Sequence, residues 1–200
     1  MSKISLTKKA SVFVLALLMA VGMPAGAVAT DCDAPPSALI AALDKILQSR
    51  FRDTSAGLFG IRRLGPGHMG ELRPETEAEV KVLSDIKNSG WEAVVFLVGR
   101  QALESGDVSK VHHPFGVTGS ARRQDLPQTS RLEGPARQAL KAFGRDNAFD
   151  FREGQWFIAA RPVRASKPEC LDCHSRPGEK TAPRLGDPLG ARMYAFTPRP

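Results

Sequence analysis

The sequence predicts an α+β domain, an antiparallel sheet with flanking helices on one side, and three observations carry that prediction. Two stretches in the first half place apolar residues at helical spacing: Leu39, Ile40, Leu43, Ile46 and Leu47, then Val82, Leu83 and Ile86. Trp91 to Val98 is a continuous apolar run broken only by Glu92, short enough for a central strand. The C-terminal part alternates strand and turn signals, with a glycine turn at Glu153-Gly154-Gln155 and a closing apolar run from Leu189 to Phe196.

The first 29 residues stand apart. Lys3, Lys8 and Lys9 precede an apolar stretch from Ala10 to Met23, Pro24 and Gly26 break it, and Ala27-Val28-Ala29 fits a small-x-small cleavage site. The apolar run is shorter than the roughly 20 residues needed to cross a bilayer. Residues 1–29 are therefore expected to be a removed export signal, leaving residues 30–200 as one domain with no membrane span.

Within that domain, Asp31 to Pro36 is a polar lead, and Ser37 is placed to cap a helix running to about Phe51. Pro74, followed by Glu75, Glu77 and Glu79, marks a second helix start, because proline suits the first turn and acids favour the positive end of the helix dipole. Gly90 ends that helix, and the strand Trp91 to Val98 follows. Between Gly106 and Pro135, Pro114, Gly116, Gly119 and Pro127 predict a long loop. A helix from about Pro135 to Phe143 comes next, then a β-hairpin of Ala148 to Arg152 and Trp156 to Arg164. Gly186-Asp187-Pro188 is the turn into the last strand.

Composition narrows the function classes. The chain has 28 basic and 21 acidic residues; residues 1–29 hold three lysines and no acid, leaving 25 against 21, an excess of +4. The basic residues form no stripe alternating with aromatics, so nucleic acid is not expected as a partner. The 171 residues after the signal suffice for one domain with a real core, and no internal repeat is visible.

Chemistry is concentrated in Cys170-Leu171-Asp172-Cys173-His174. Downstream of an export signal, a Cys-x-x-Cys-His run is the signature of covalent c-type haem attachment: two thiols form thioethers with the vinyl groups of one haem, and the adjacent imidazole is held to ligate iron. Structural zinc is the first alternative, but it wants four ligands and Cys32 is the one further cysteine. A thioredoxin-like redox pair is the second, but that motif normally opens a helix after the first strand of a domain, whereas this run lies near the C-terminus. One covalent haem c is the expected cofactor, with Cys170 and Cys173 attaching it and His174 as proximal ligand. Since bacterial c-type haem is attached outside the cytoplasmic membrane, motif and signal together predict a periplasmic protein. Pro177, Gly178 and Pro183 allow only a short turn of helix around Cys173, which argues against an all-helical four-helix cytochrome.

Ala160-Arg161-Pro162-Val163, the Cys-Leu-Asp-Cys-His run and Gly186-Asp187-Pro188-Leu189-Gly190-Ala191 resemble the periplasmic single-haem c-type domains with a PAS-like fold. That resemblance covers roughly Gln155 to Phe196. It implies a PAS-like antiparallel sheet with the haem on the connection before the last strand, in a family of stand-alone cytochrome-like and sensor-domain members. Some stand-alone members take their sixth iron ligand from a cysteine near the N-terminus, and Cys32 is the matching candidate here.

From the residues themselves, His68 leads as distal ligand, because Gly65, Gly67 and Gly70 let its loop approach closely. Its ordinary alternative is a surface loop histidine. Met69, His112, His113 and Cys32 follow, and Met193 reads as core. Phe149, Phe151, Trp156 and Phe157 alternate along the hairpin, so one face, Trp156 included, has a haem contact or ordinary core as its two readings. Arg161 is either a partner for a haem propionate or a solvated strand residue. Two functions remain: periplasmic electron transfer through a six-coordinate iron and a redox partner protein, or a haem-based redox or gas sensor acting through a partner. The chain carries no distal His-Arg arrangement for peroxide chemistry, so an enzyme is not expected. With no transmitter domain before Pro200, electron transfer is the favoured expectation.

Overall fold

The computed structural model describes residues 34–53, 61–62, 70–100, 112–117, 126–175 and 182–199. By its contacts the chain divides into residues 1–30 and 31–200, and every described residue belongs to the second unit. The export signal, Cys32, His68 and Met69 lie outside the described residues, as do the side chains of His112, His113 and Cys173.

Helix α1 runs Ser37–Asp53 and buries Leu43 and Leu47 completely, with Ile40 and Ile46 nearly so. It begins on Ser37 itself, the Leu39 N–H donating to the Pro36 carbonyl at 2.9 Å, so the expected serine cap is one residue out. Helix α2, Glu77–Asn88, opens three residues after the expected Pro74. Thr76 decides this: its side-chain oxygen accepts the Glu79 N–H at 3.2 Å, satisfying a donor that a start at Pro74 would have left elsewhere. Val82, Leu83 and Ile86 form the inward stripe, and Gly90 at φ +78° turns the chain out of the helix.

The strands are β1 (Ile61–Arg62), β2 (Gly70–Leu72), β3 (Trp91–Gly99), β4 (His112–Gly116), β5 (Phe149–Glu153), β6 (Trp156–Arg164) and β7 (Pro188–Pro198). They form one sheet in the order β1-β2-β4-β3-β7-β6-β5. The nine-residue β3 is central, paired antiparallel with β4 on one side and with β7 on the other in an unbroken register from Trp91↔Pro198 to Gly99↔Gly190. The expected antiparallel sheet is in fact mixed, since β2 runs parallel to β4. Helix α2 separates β2 from β3 and returns the chain in the opposite sense; β4, antiparallel to β3, is inserted between them and so runs with β2.

Two further corrections fall in the expected loop between Gly106 and Pro135. Strand β4 occupies part of it despite Pro114 and Gly116, because pairing with β3 outweighs local propensity. Helix α3 spans Thr129–Ala142, so Pro135 lies inside the helix instead of opening it. Proline there removes one helical hydrogen bond, but the preceding Gly134 has no Cβ to meet the proline ring, and Leu132, Ala136, Ala139 and Phe143 are wholly buried along the inner face. The hairpin closes as expected: Glu153 pairs with Trp156 around Gly154 at φ +58°, a two-residue turn of the II′ type.

Helices cover both faces of the sheet, not one. Helix α3 packs on the face of Val94, Phe96, Val98, Ile158, Met193 and Ala195, while α1 and α2 pack on the face of Val95, Ala159, Tyr194 and Phe196. Alternation along β3, β6 and β7 sends successive side chains to opposite cores, which is why these strands read as nearly continuous apolar runs. Among the described residues no helix is long and apolar enough to cross a membrane.

A buried ion pair ties α1 to α2. Arg50 donates from Nε to Glu79 Oε1 at 3.1 Å and from Nη2 to Oε2 at 2.6 Å, and Nη2 also donates to the Arg73 carbonyl at 2.7 Å. Burial pushes the Glu79 carboxyl up, but the Arg50 guanidinium and backbone hydrogen bonds at Glu75 and Thr76 outweigh it and hold the group below its ordinary range. A carboxyl depressed in the folded state stabilises fully above its unfolded pKa and loses that contribution as pH falls through the folded value. The urea midpoint is thus expected to drop on acidification below about pH 4.5, and Glu79→Gln is expected to flatten that acid limb. Identical acid limbs in wild type and variant would remove Glu79 as the cause.

Candidate functional site

The Cys-x-x-Cys-His run lies on the connection from β6 to β7, the two strands that the hairpin and the last apolar run led one to expect as neighbours. They pair antiparallel from Phe157↔Phe196 to Val163↔Gly190, then shift register so that Arg164 faces Pro188. Ala165 closes the base of the connection: its N–H donates to the Asp187 carbonyl at 3.0 Å and its own carbonyl accepts from Gly186 N–H at 2.9 Å. Gly186 sits at φ +91°, a conformation that residues with a Cβ avoid, and Asp187 accepts the Arg184 N–H on its carboxylate at 2.8 Å. Gly190 serves a different need. A Cβ there would lie 2.5 Å from the Val98 carbonyl oxygen, so only glycine lets β7 approach β3 at this end.

Between these anchors the chain forms the short helix α4, Pro168–His174. Lys167 is extended at φ −151°, Pro168 takes the first turn where its missing N–H costs nothing, and Glu169 is the acid of that turn. The helix ends at Ser175, whose N–H donates to the Leu171 carbonyl at 2.8 Å. Helical periodicity then does the positioning. Cys170 and His174 are four residues apart and Cys170 and Cys173 three, so all three positions share one side of a two-turn helix.

Both described donors are half-buried: Cys170 as a free thiol, His174 as an imidazole. Burial pushes the His174 ring below its ordinary pKa, favouring the neutral form whose nitrogen lone pair can bind a metal. Two thiols and a neutral imidazole on one short, anchored helix fit the attachment of a single haem. Among the described residues no three His, Cys, Asp or Glu side chains converge as a metal cluster.

The remaining expected site residues fall as follows. Arg161 donates to Asp150 Oδ1 at 2.6 Å, across the β5–β6 pair, and to the Ala160 carbonyl at 2.8 Å. Trp156 is 4% exposed and belongs to the core under α3, with Phe149 and Phe151 packed on the same cluster; Phe157 packs on the opposite core. Met193 is fully buried, as its alternation predicted. Sequence reasoning passed over Arg164 and named Asp187 only as a turn residue, yet these two fasten the ends of the connection. Asp187 carried a turn signal in Gly-Asp-Pro; Arg164 carried none.

The model of the Tll0287-like domain, a periplasmic c-type haem family, matches residues 120–195, a span that takes in α3, the hairpin, α4 and most of β7. No curated protein and no solved structure matches the chain.

Proposed function

We propose that this chain is a periplasmic mono-haem c-type protein that transfers electrons to or from a partner protein. The observation that carries the reading is the placement of Cys170 and His174 on one side of α4, within a connection whose two ends are joined at Ala165, Gly186 and Asp187 between antiparallel strands. Cys170 and Cys173 would hold the haem through thioethers, each formed by addition of a thiol S–H to one vinyl group, and the His174 imidazole would ligate the iron. Bound haem would supply a one-electron couple. Joining the ends of the connection at the base of β6 and β7 would limit movement of His174 between oxidation states, which lowers the reorganisation accompanying an electron and favours transfer over switching. The match to the Tll0287-like model over residues 120–195 supports the haem and periplasmic parts of the reading.

The PAS-like architecture is part of this proposal. Counted from β3, the strands lie in the order 2-1-5-4-3, the arrangement expected of a PAS-like sheet, and the two-strand extension β1–β2 adds to its edge. The haem would then hang from the connection between the fourth and fifth of those strands.

His68 is proposed as the second residue that would ligate the iron, on the glycine spacing read from the sequence. The deciding measurement is the absorption spectrum of oxidised and reduced protein, matured in a host with c-type attachment machinery, with and without carbon monoxide. A low-spin spectrum indifferent to carbon monoxide is expected, and His68→Ala is expected to give a high-spin spectrum and open the iron to the gas. Rapid carbon monoxide binding by the wild type, with His68→Ala unchanged, would reject His68 and put the sensor reading first.

A further inference from the structure

Arg164 is the last residue of β6, one residue before the connection that carries α4, and its guanidinium reaches three acceptors. Nη1 donates to the Gly186 carbonyl at 3.0 Å; Nη2 donates to the Phe143 carbonyl at 2.8 Å and to Asn147 Oδ1 at 2.9 Å. Those acceptors come from the turn after the motif, the C-cap of α3 and the lead into β5. The register shift at Val163/Arg164 re-aims the chain at this point, as such irregularities do. A helix C-terminus attracts a cation, and a planar fork spans acceptors in two directions where an ammonium cannot.

We infer that Arg164 is a positioning residue for the haem-bearing helix, an inference that rests on the haem reading above. Ala165 and Gly186 join the two ends of the connection to each other; Arg164 joins them to α3. Without it the connection stays closed by its backbone pair, but loses the three hydrogen bonds through which Arg164 sets its orientation against α3 and the lead into β5. Losing that hold lets α4 tilt and fray, which opens its own end hydrogen bonds and shifts Cys170 and His174; covalent attachment would survive, while the way the imidazole meets a bound iron would change.

The test compares Arg164→Gln and Arg164→Lys with wild type in the full chain. Amide exchange is read at Cys170 and Ser175, whose N–H groups donate to the Lys167 and Leu171 carbonyls, with β7 amides as control. In Arg164→Gln the two reporters are expected to exchange about tenfold faster while β7 is unchanged. Haem stays covalently bound, the reduction potential moves and a high-spin fraction enters the ferric spectrum. Arg164→Lys, which restores charge without the fork, falls between and remains informative if Arg164→Gln does not fold. Unchanged reporters, or equal acceleration in β7, would overturn the inference. A haem-free wild type would overturn the haem reading instead, a result told apart because amide exchange is read on either form.

Discussion

Replacing Cys170 and Cys173 together by Ala is expected to abolish covalent haem completely, with no haem stain at the position of the polypeptide after denaturing electrophoresis. The expectation is all-or-none because each thioether is a bond and not an affinity: denaturant removes a coordinated haem, not a tethered one. Either single replacement leaves one thioether and an intermediate signal. The fold is expected to survive, since α4 is a seven-residue helix, Cys170 is only half-buried, and β6 and β7 pair without it. Similar denaturation midpoints for the haem-free variant and haem-free wild type would confirm that the loss is chemical. A wild type that matures with zinc and no haem would end the proposal.

The largest loss of stability is expected from Asp44→Ala. Arg192 on β7 is 3% exposed and donates to Asp44 Oδ1 from Nε at 2.9 Å, with Nη2 also at 2.9 Å; the Tyr194 hydroxyl donates to the same oxygen at 2.7 Å. Burial, reinforced by the carboxylate, holds Tyr194 protonated far up its range against the opposing pull of Arg192. Removing Asp44 therefore takes the carboxylate from a buried guanidinium and a buried hydroxyl at once, leaving the 3.0 Å hydrogen bond from Arg192 Nε to the Tyr194 hydroxyl without its counter-charge, a loss of about 3–5 kcal/mol. For a domain of this size that lowers Tm by roughly 10 °C, measurable by calorimetry. The exposed Lys81–Asp85 pair is a useful contrast: its geometry is similar at 3.0 Å, yet such pairs contribute about 0.5 kcal/mol, because water solvates either partner left alone. Replacing Asp44, Arg192 and Tyr194 together with Leu, Met and Phe, which leaves no polar group of the cluster behind, is expected to recover most of the loss. If the triple variant is as unstable as Asp44→Ala, loss of the counter-charge is not the mechanism.

Local signals served well where a single period or a single turn residue governs. The α1 and α2 stripes, the run from Trp91 to Val98, the Gly154 hairpin and the last strand all emerge near their expected places, and the Cys-x-x-Cys-His run sits between the two strands expected to frame it. They failed where a distant partner decided. Strand β4 contains His112-His113-Pro114-Phe115-Gly116, a poor strand by propensity, and exists because β3 lies beside it. Pro135 reads as a helix start and sits mid-helix because the inner face of α3 is worth more than the hydrogen bond it forfeits. The strands β1 and β2, two and three residues long, offered no pattern long enough to read.

By itself the sequence determined the chemistry on offer and the elements around it: two thiols and an imidazole at fixed spacing, and the strands before and after them. Such features are local, because covalent spacing and backbone periodicity need no partner. Tertiary structure alone decided what covers the sheet and what fastens the motif. Asp44 meets Arg192 across 148 residues of chain and Tyr194 across 150, and Arg164 reaches back 21 residues to the Phe143 carbonyl. An isolated Asp or Arg in a sequence carries no sign of its partner. Only when β7 has paired with β3 and β6, and helices have closed both faces, does burial turn those charges into requirements.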